Sequence, residues 1–214
     1  MLPAGVLGRC FEPVLRVIGR GAVISVQPAR NLLPMAAPVL VISGCSAVGK
    51  STVSRLLAEC LDSSVHIPAD AFLRFFDDPF PDPATPEGAH RYEVVGAALA
   101  ATAAQFALGG YTVILDGPMF PDGAHGVAEI CGRRDVLVHY AVLRADLPTC
   151  LERAKRRDPP GPPDLDGFTA LHAKFIDLGE SKANAIDASG KAEQVVATVL
   201  SALKSGRLIA KSKS

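Results

Sequence analysis

Residues 44 to 51 read Gly-Cys-Ser-Ala-Val-Gly-Lys-Ser, a full match to G-x-x-x-x-G-K-[ST]. The run before it, Val39-Leu40-Val41-Ile42-Ser43, is apolar and largely β-branched, as in a strand buried on both faces of a parallel sheet. After it, residues 51–58 place Val53, Leu56 and Leu57 on one face of a helix. A loop of this spelling between a strand and a helix requires an α/β unit. Gly44 and Gly49 let the backbone turn tightly, so that successive N–H groups across Cys45, Ser46, Ala47 and Val48 can point at phosphate oxygens. The helix start adds its positive dipole end. Lys50 is expected at the β- and γ-phosphates and the Ser51 hydroxyl on Mg²⁺, with Thr52 closing the candidate nucleotide-binding set.

The 214 residues, 49% of them hydrophobic, suffice for one sizeable α/β domain. Twenty-two basic and 22 acidic residues give a formal net charge of 0, which argues against long nucleic acid or an anionic membrane as partner. No apolar run is long enough to span a bilayer. The five cysteines, Cys10, Cys45, Cys60, Cys131 and Cys150, form no C-x-x-C pair and have no histidine at ligand spacing. They read as reduced thiols of a cytoplasmic protein. Cys45 is either a small side chain filling the loop or a thiol made acidic by an anion-binding site.

Residues 1–34 hold four arginines and one acid without a sustained helix or strand period. They are expected to be a disordered or mispredicted extension before a working start at Met35, with a domain over 35–206 and a tail over 207–214. Within the domain, strands at 65–68, 111–116, 136–143 and 185–187 alternate with helices opening at Asp70 and spanning 90–108, 123–132, 147–157, 168–178 and 191–204. Residues 77–88, with four prolines, read as a long loop, and the proline-rich stretch 158–164 as a mobile lid.

Parallel sheets bind ligands at the carboxyl ends of their strands, so the acids there are candidates. Asp116 ends the third strand and would hold Mg²⁺ or orient substrate, or else cap the following turn. Asp70 follows the second strand and would act as a general base on a substrate hydroxyl, or else as a helix N-cap. Arg153, Lys155, Arg156 and Arg157 form a basic cluster that is either a solvated helix end or a set of phosphate ligands. Arg91 would bind an anionic acceptor or pair with a nearby acid, and His90, Met119, Phe120 and His125 would line the acceptor site. His139, mid-strand in an apolar run, reads as a satisfied core residue.

Residues 43–52, the Pro-Ala-Asp-Ala-Phe segment at 68–72, Gly-Gly-Tyr-Thr-Val-Ile-Leu-Asp-Gly at 109–117 and the arginine-bearing stretch 143–158 together resemble the small P-loop kinases. The similarity is to the chloramphenicol phosphotransferase-like and AAA-type kinase-like group, and more distantly to shikimate and gluconate kinases. It implies a P-loop NTPase fold of class α/β, a five-stranded parallel sheet in the order 2-3-1-4-5 between helices, and an arginine-bearing lid. It further implies Asp70 as base, Arg153 near the adenine, Arg156 or Arg157 on the phosphates, and Ser189 in the loop bordering the base. The expected activity is ATP- and Mg²⁺-dependent phosphoryl transfer to a hydroxyl of a small molecule. A nucleoside or polynucleotide kinase and an ATP-binding regulatory module are the alternatives. The chain lacks an Asn-Lys-x-Asp segment for reading guanine, and it is too short for an ABC or AAA+ motor.

Overall fold

The computed structural model describes residues 36–79, 81–157 and 164–210, all within one compact unit, Leu33–Ser214. The expected N-terminal extension, residues 158–163 of the expected lid and the last four residues of the expected tail lie outside the described residues.

Strand β1 (Val39–Gly44) runs into the Gly-Lys loop and helix α1 (Lys50–Cys60). β2 (Ser64–Pro68), the single turn α2 (Asp70–Leu73) and the long α3 (Pro86–Leu108) follow. Next come β3 (Thr112–Asp116), α4 (Pro121–Gly132), β4 (Val138–Arg144), α5 (Leu147–Lys155) and α6 (Leu165–Lys174). A 3₁₀ turn (Gly179–Asn184), β5 (Ala185–Asp187) and α7 (Ala192–Lys204) close the series. The sheet is parallel in the order β2-β3-β1-β4-β5, as the resemblance implied.

The continuous apolar strands lie at the centre because both of their faces are covered. Val39, Leu40, Val41 and Ile42 are almost wholly inaccessible, as are Val113, Ile114 and Leu115 of β3 and Ala141, Val142 and Leu143 of β4. Ala100, Ala103, Ala104 and Ala107 bury one side of α3; their small side chains let the helix lie close to its neighbours. On α1 the buried face is Val53, Ser54 and Leu57, with Leu56 only half-buried.

Element limits differ from expectation where caps act. α3 starts at Pro86, inside the stretch read as loop, because the Thr85 hydroxyl accepts from the Gly88 N–H at 3.1 Å and Pro86 needs no intrahelical donor. α6 begins at Leu165, three residues early, because the Asp164 carboxylate accepts from the Asp166 and Gly167 N–H groups. α2 stops after one turn, and Asp78 before Pro79 is then biased toward extended backbone. The chain end also differs. Residues 207–210 are not a free tail: Leu208 is fully buried, and Leu208–Ala210 pair antiparallel with β4 through Tyr140 N–H to Leu208 O (2.7 Å) and Ala210 N–H to Val138 O (2.9 Å).

Candidate active site

The loop between β1 and α1 owes its shape to three residues with positive φ. Gly44 has φ 138°, Ala47 59° and Gly49 111°. A Cβ on Gly44 would lie 2.4 Å from the Leu143 carbonyl oxygen, whereas one on Gly49 would meet nothing within 4 Å. Gly44 therefore answers to space and conformation together, and Gly49 to conformation alone. Ala47 in the left-handed region is local strain of the kind found in anion-binding backbone nests.

Lys50 Nζ folds back onto the Cys45 carbonyl oxygen at 2.8 Å. Burial lowers its pKa most, and Asp116, Cys45 and Asp70 oppose that shift while Arg157 adds to it. Three groups from distant parts of the sequence, Asp70, Asp116 and Arg157, thus act on one ammonium together with Cys45 of the same loop. Register explains the approach: Ile42 of β1 pairs with Asp116, which pairs with Pro68 of β2, so Asp116 and Asp70 leave the same edge of the sheet beside the loop. Asp116 is 5% exposed, and Asp70 is exposed. α2 has no side-chain cap, and Asp70 is its first residue rather than its cap, so the capping alternative is not taken up. The Ser51 and Thr52 side chains stand exposed at the first turn of α1.

Of the basic cluster, Arg153 is a strut. Its guanidinium donates to the carbonyl oxygens of Val48 (2.9 Å), Ala188 (2.9 Å), Ser189 (3.2 Å) and Gly190 (3.3 Å), tying the phosphate loop to the segment after β5. Ser189 is exposed there, its N–H donating to Asp187. Arg156 pairs with Glu152 at 3.1 Å on the solvent side of α5, its side chain 78% exposed. Arg157 is the member whose charge reaches Lys50.

Of the residues expected to line an acceptor site, Arg91 donates to Asp78 (2.7 Å) and Glu87 (3.0 Å) and lies over the Phe76 ring, while its Nη1 is buried without a hydrogen-bond partner among the described residues. The Met119 backbone is pinned by Ser43 and by the Tyr140 hydroxyl. Phe120 stacks on Phe175, and His125 Nδ1 is buried without a hydrogen-bond partner among the described residues. His139 does not fit the expectation of a satisfied core residue: its Nδ1 has no partner among the described residues, and burial lowers its pKa.

Two features escaped the sequence reading. His66 Nε2 stands 3.4 Å from the Asp116 carboxylate. Strand alternation carries the signal, since His66 shares a face with Pro68, which pairs with Asp116. The second is a contact between Cys45 Sγ and Cys150 Sγ at 3.6 Å, with His172 alongside. Hydrogen bonding from Cys150 and the nearby Lys50 charge hold the Cys45 thiol below its ordinary pKa, and the same contact pushes Cys150 above it. The cysteines have no histidine at ligand spacing along the sequence, and residues 45, 150 and 172 approach only through the tertiary fold.

A family model described as AAA domain matches residues 39–178, more than half of the chain. The chain belongs to this family. A search of curated protein sequences finds no match. Among solved structures, a gluconokinase from Sinorhizobium meliloti 1021 is similar at 17% identity and TM-score 0.57, over 81% of this chain and 95% of that one. The tunicamycin resistance protein of Deinococcus radiodurans is similar at 21% identity and TM-score 0.55, over 82% and 99%. A Mycobacterium tuberculosis APS kinase in complex with AMPPNP and APS is similar at 16% identity and TM-score 0.59, over 80% and 99%. At these identities the likeness is one of fold, and the fold is that of the P-loop kinase-like group. No helix among the described residues is long and apolar enough to cross a membrane.

Proposed function

We propose that the chain is an ATP-dependent phosphotransferase acting on a hydroxyl of a small molecule. The observation that carries this reading is the meeting of Lys50 with Asp70, Asp116 and Arg157 at the carboxyl edge of β1, β2 and β3. The loop fits a polyphosphate: its backbone has the nest conformation, and the one hydrogen bond of Lys50 among the described residues goes to a loop carbonyl that a better acceptor can replace. When bound, Mg-ATP would supply the phosphoryl group and a divalent ion that offsets its negative charge.

The residues then divide the work. Gly44 to Thr52 bind the phosphates, and Lys50 offsets their charge. Ser51 and Asp116 hold the ion, with His66 steadying the Asp116 carboxylate. Asp70 Oδ accepts the proton of the acceptor hydroxyl as that oxygen attacks. Arg157 stabilises charge on the group in transfer, and Arg156 joins it after leaving Glu152. Arg153 and Ser189 position the nucleotide's base side through the strut already formed. Arg91, whose Nη1 has no hydrogen-bond partner among the described residues, would line the acceptor pocket.

The test is ADP release with Mg-ATP across a panel of hydroxyl compounds, with Lys50→Ala and Asp70→Asn in parallel. One acceptor should stimulate turnover. Asp70→Asn should lower kcat by about 10²- to 10⁴-fold with ATP affinity kept, and Lys50→Ala should weaken both. Tight ATP binding without stimulation by any acceptor would replace this reading with that of a regulatory module.

A further inference from the structure

Cys45 of the phosphate loop, Cys150 of α5 and His172 of α6 converge from three elements. One donor atom from each, two Sγ and a ring nitrogen, lies within 4.8 Å of the other two. The two sulfurs are 3.6 Å apart. Thiolates about 2.3 Å from one tetrahedral zinc ion lie about 3.8 Å from each other, so the observed spacing matches an edge of that tetrahedron.

The histidine is prepared as well. Its Nε2–H donates to the Ala145 carbonyl oxygen at 2.9 Å. A carbonyl only accepts, so this bond leaves the lone pair of the neutral ring on Nδ1, and metal-bound histidines are ordinarily oriented by such a bond. Cys45, Ala145 and His172 border a cavity of about 20 Å³, walled further by Leu143, Arg144, Phe175 and Ile176. That is room for one water-sized occupant. The two sulfurs are buried and the imidazole is half-buried.

We infer that Cys45, Cys150 and His172 form a binding site for a thiophilic divalent ion of the Zn²⁺ type, joining the phosphate loop to α5 and α6. Binding forms two metal–sulfur bonds and one metal–nitrogen bond, and the two thiol protons pass to solvent. The ion stays divalent, and two thiolates neutralise it. Three protein ligands leave the fourth position to water. Sulfur donors select against Mg²⁺, so this site is chemically separate from the one at Ser51 and Asp116.

The experiment uses the full chain, reduced and stripped with a chelator, then titrated with Zn²⁺ or Co²⁺ alone in the presence of excess Mg²⁺. The expected result is one equivalent of Zn²⁺ retained through gel filtration. Co²⁺ should give a thiolate-to-metal charge-transfer band and the intense visible bands of a tetrahedral complex. Cys150→Ser and His172→Gln should each weaken binding by at least about tenfold, while the double variant Cys10→Ser, Cys60→Ser should bind as the unaltered chain does. Circular dichroism identifies any variant that has not folded, and His172→Gln, on a half-buried helix position, serves if Cys150→Ser fails. Substoichiometric binding, a Co²⁺ spectrum without the thiolate band, or equal affinity in the folded Cys150→Ser and His172→Gln variants would overturn the site. So would a Cys45–Cys150 disulfide that forms in air while excess Zn²⁺ is present. None of these readouts depends on phosphoryl transfer.

Discussion

Gly44 and Gly49 occupy equivalent letters of one motif yet meet different constraints. Alanine at Gly44 must move the Leu143 carbonyl of the neighbouring strand as well as adopt φ 138°. Alanine at Gly49 has open space and bears only the left-handed conformation. Urea unfolding should therefore show a loss of about 2–4 kcal/mol for Gly44→Ala and about 1–2 kcal/mol for Gly49→Ala. Equal losses would mean that the β4 contact is not limiting. The motif letters were legible because phosphate chemistry dictates residue type as well as shape. Asp70 and Asp116 were legible because a parallel sheet presents its carboxyl edge to ligands. The preference for Arg157 over Arg156 was not. Adjacent residues on a helix end point about 100° apart, and only packing shows which one faces the loop.

Among the elements, β4 carries the least expected partner. It pairs with β1 on one side, while its other edge is shared by β5 over 142–144 and by Leu208–Ala210 over 138–140. The C-terminal segment thus covers strand edge that the three-residue β5 leaves open. Leu208→Ala should cost about 2–5 kcal/mol because the side chain is fully buried, read as a lower urea midpoint with an unchanged slope. A change within about 0.5 kcal/mol would show the segment to be dispensable. Lys and Ser around a short apolar run suggested a frayed end. The order of strands was legible by resemblance, and the limits of α3 and α6 were not, since the Thr85 and Asp164 caps lie next to residues that look like loop.

With a net charge of 0 at neutral pH, the folded chain has little global repulsion, so individual buried groups set how stability responds to acid. His139 is 8% exposed, and burial depresses its pKa below the ordinary 6.5. The unfolded chain protonates this imidazole near pH 6.5 while the folded chain resists, so the unfolded state binds more protons and stability falls as pH drops below 6.5. Asp146, capping α5, and Asp187, accepting from Ser189, have depressed pKa values. Their contribution is present above the ordinary 3.8 and is lost only as pH falls through the folded values below it. Tm should therefore decline in two stages, and His139→Leu should flatten the upper stage, which begins as pH falls below 6.5. An unaltered slope in that variant would assign the upper stage to another group.

Sequence alone established the strand–loop–helix that carries the Gly-Lys motif, the alternation that makes an α/β sheet and the acids at the carboxyl edge of its strands. Each of these is written in local spacing: two residues for strands, 3.6 for helices, eight for the loop. Tertiary structure supplied whatever depends on distance across the sheet. It brought Lys50 under the charges of Asp70, Asp116 and Arg157, set His66 against Asp116, and placed Cys45 beside Cys150 and His172. Separations of 20 to 127 residues leave no periodic trace in a chain, because what closes them is packing between elements whose order in space differs from their order in sequence.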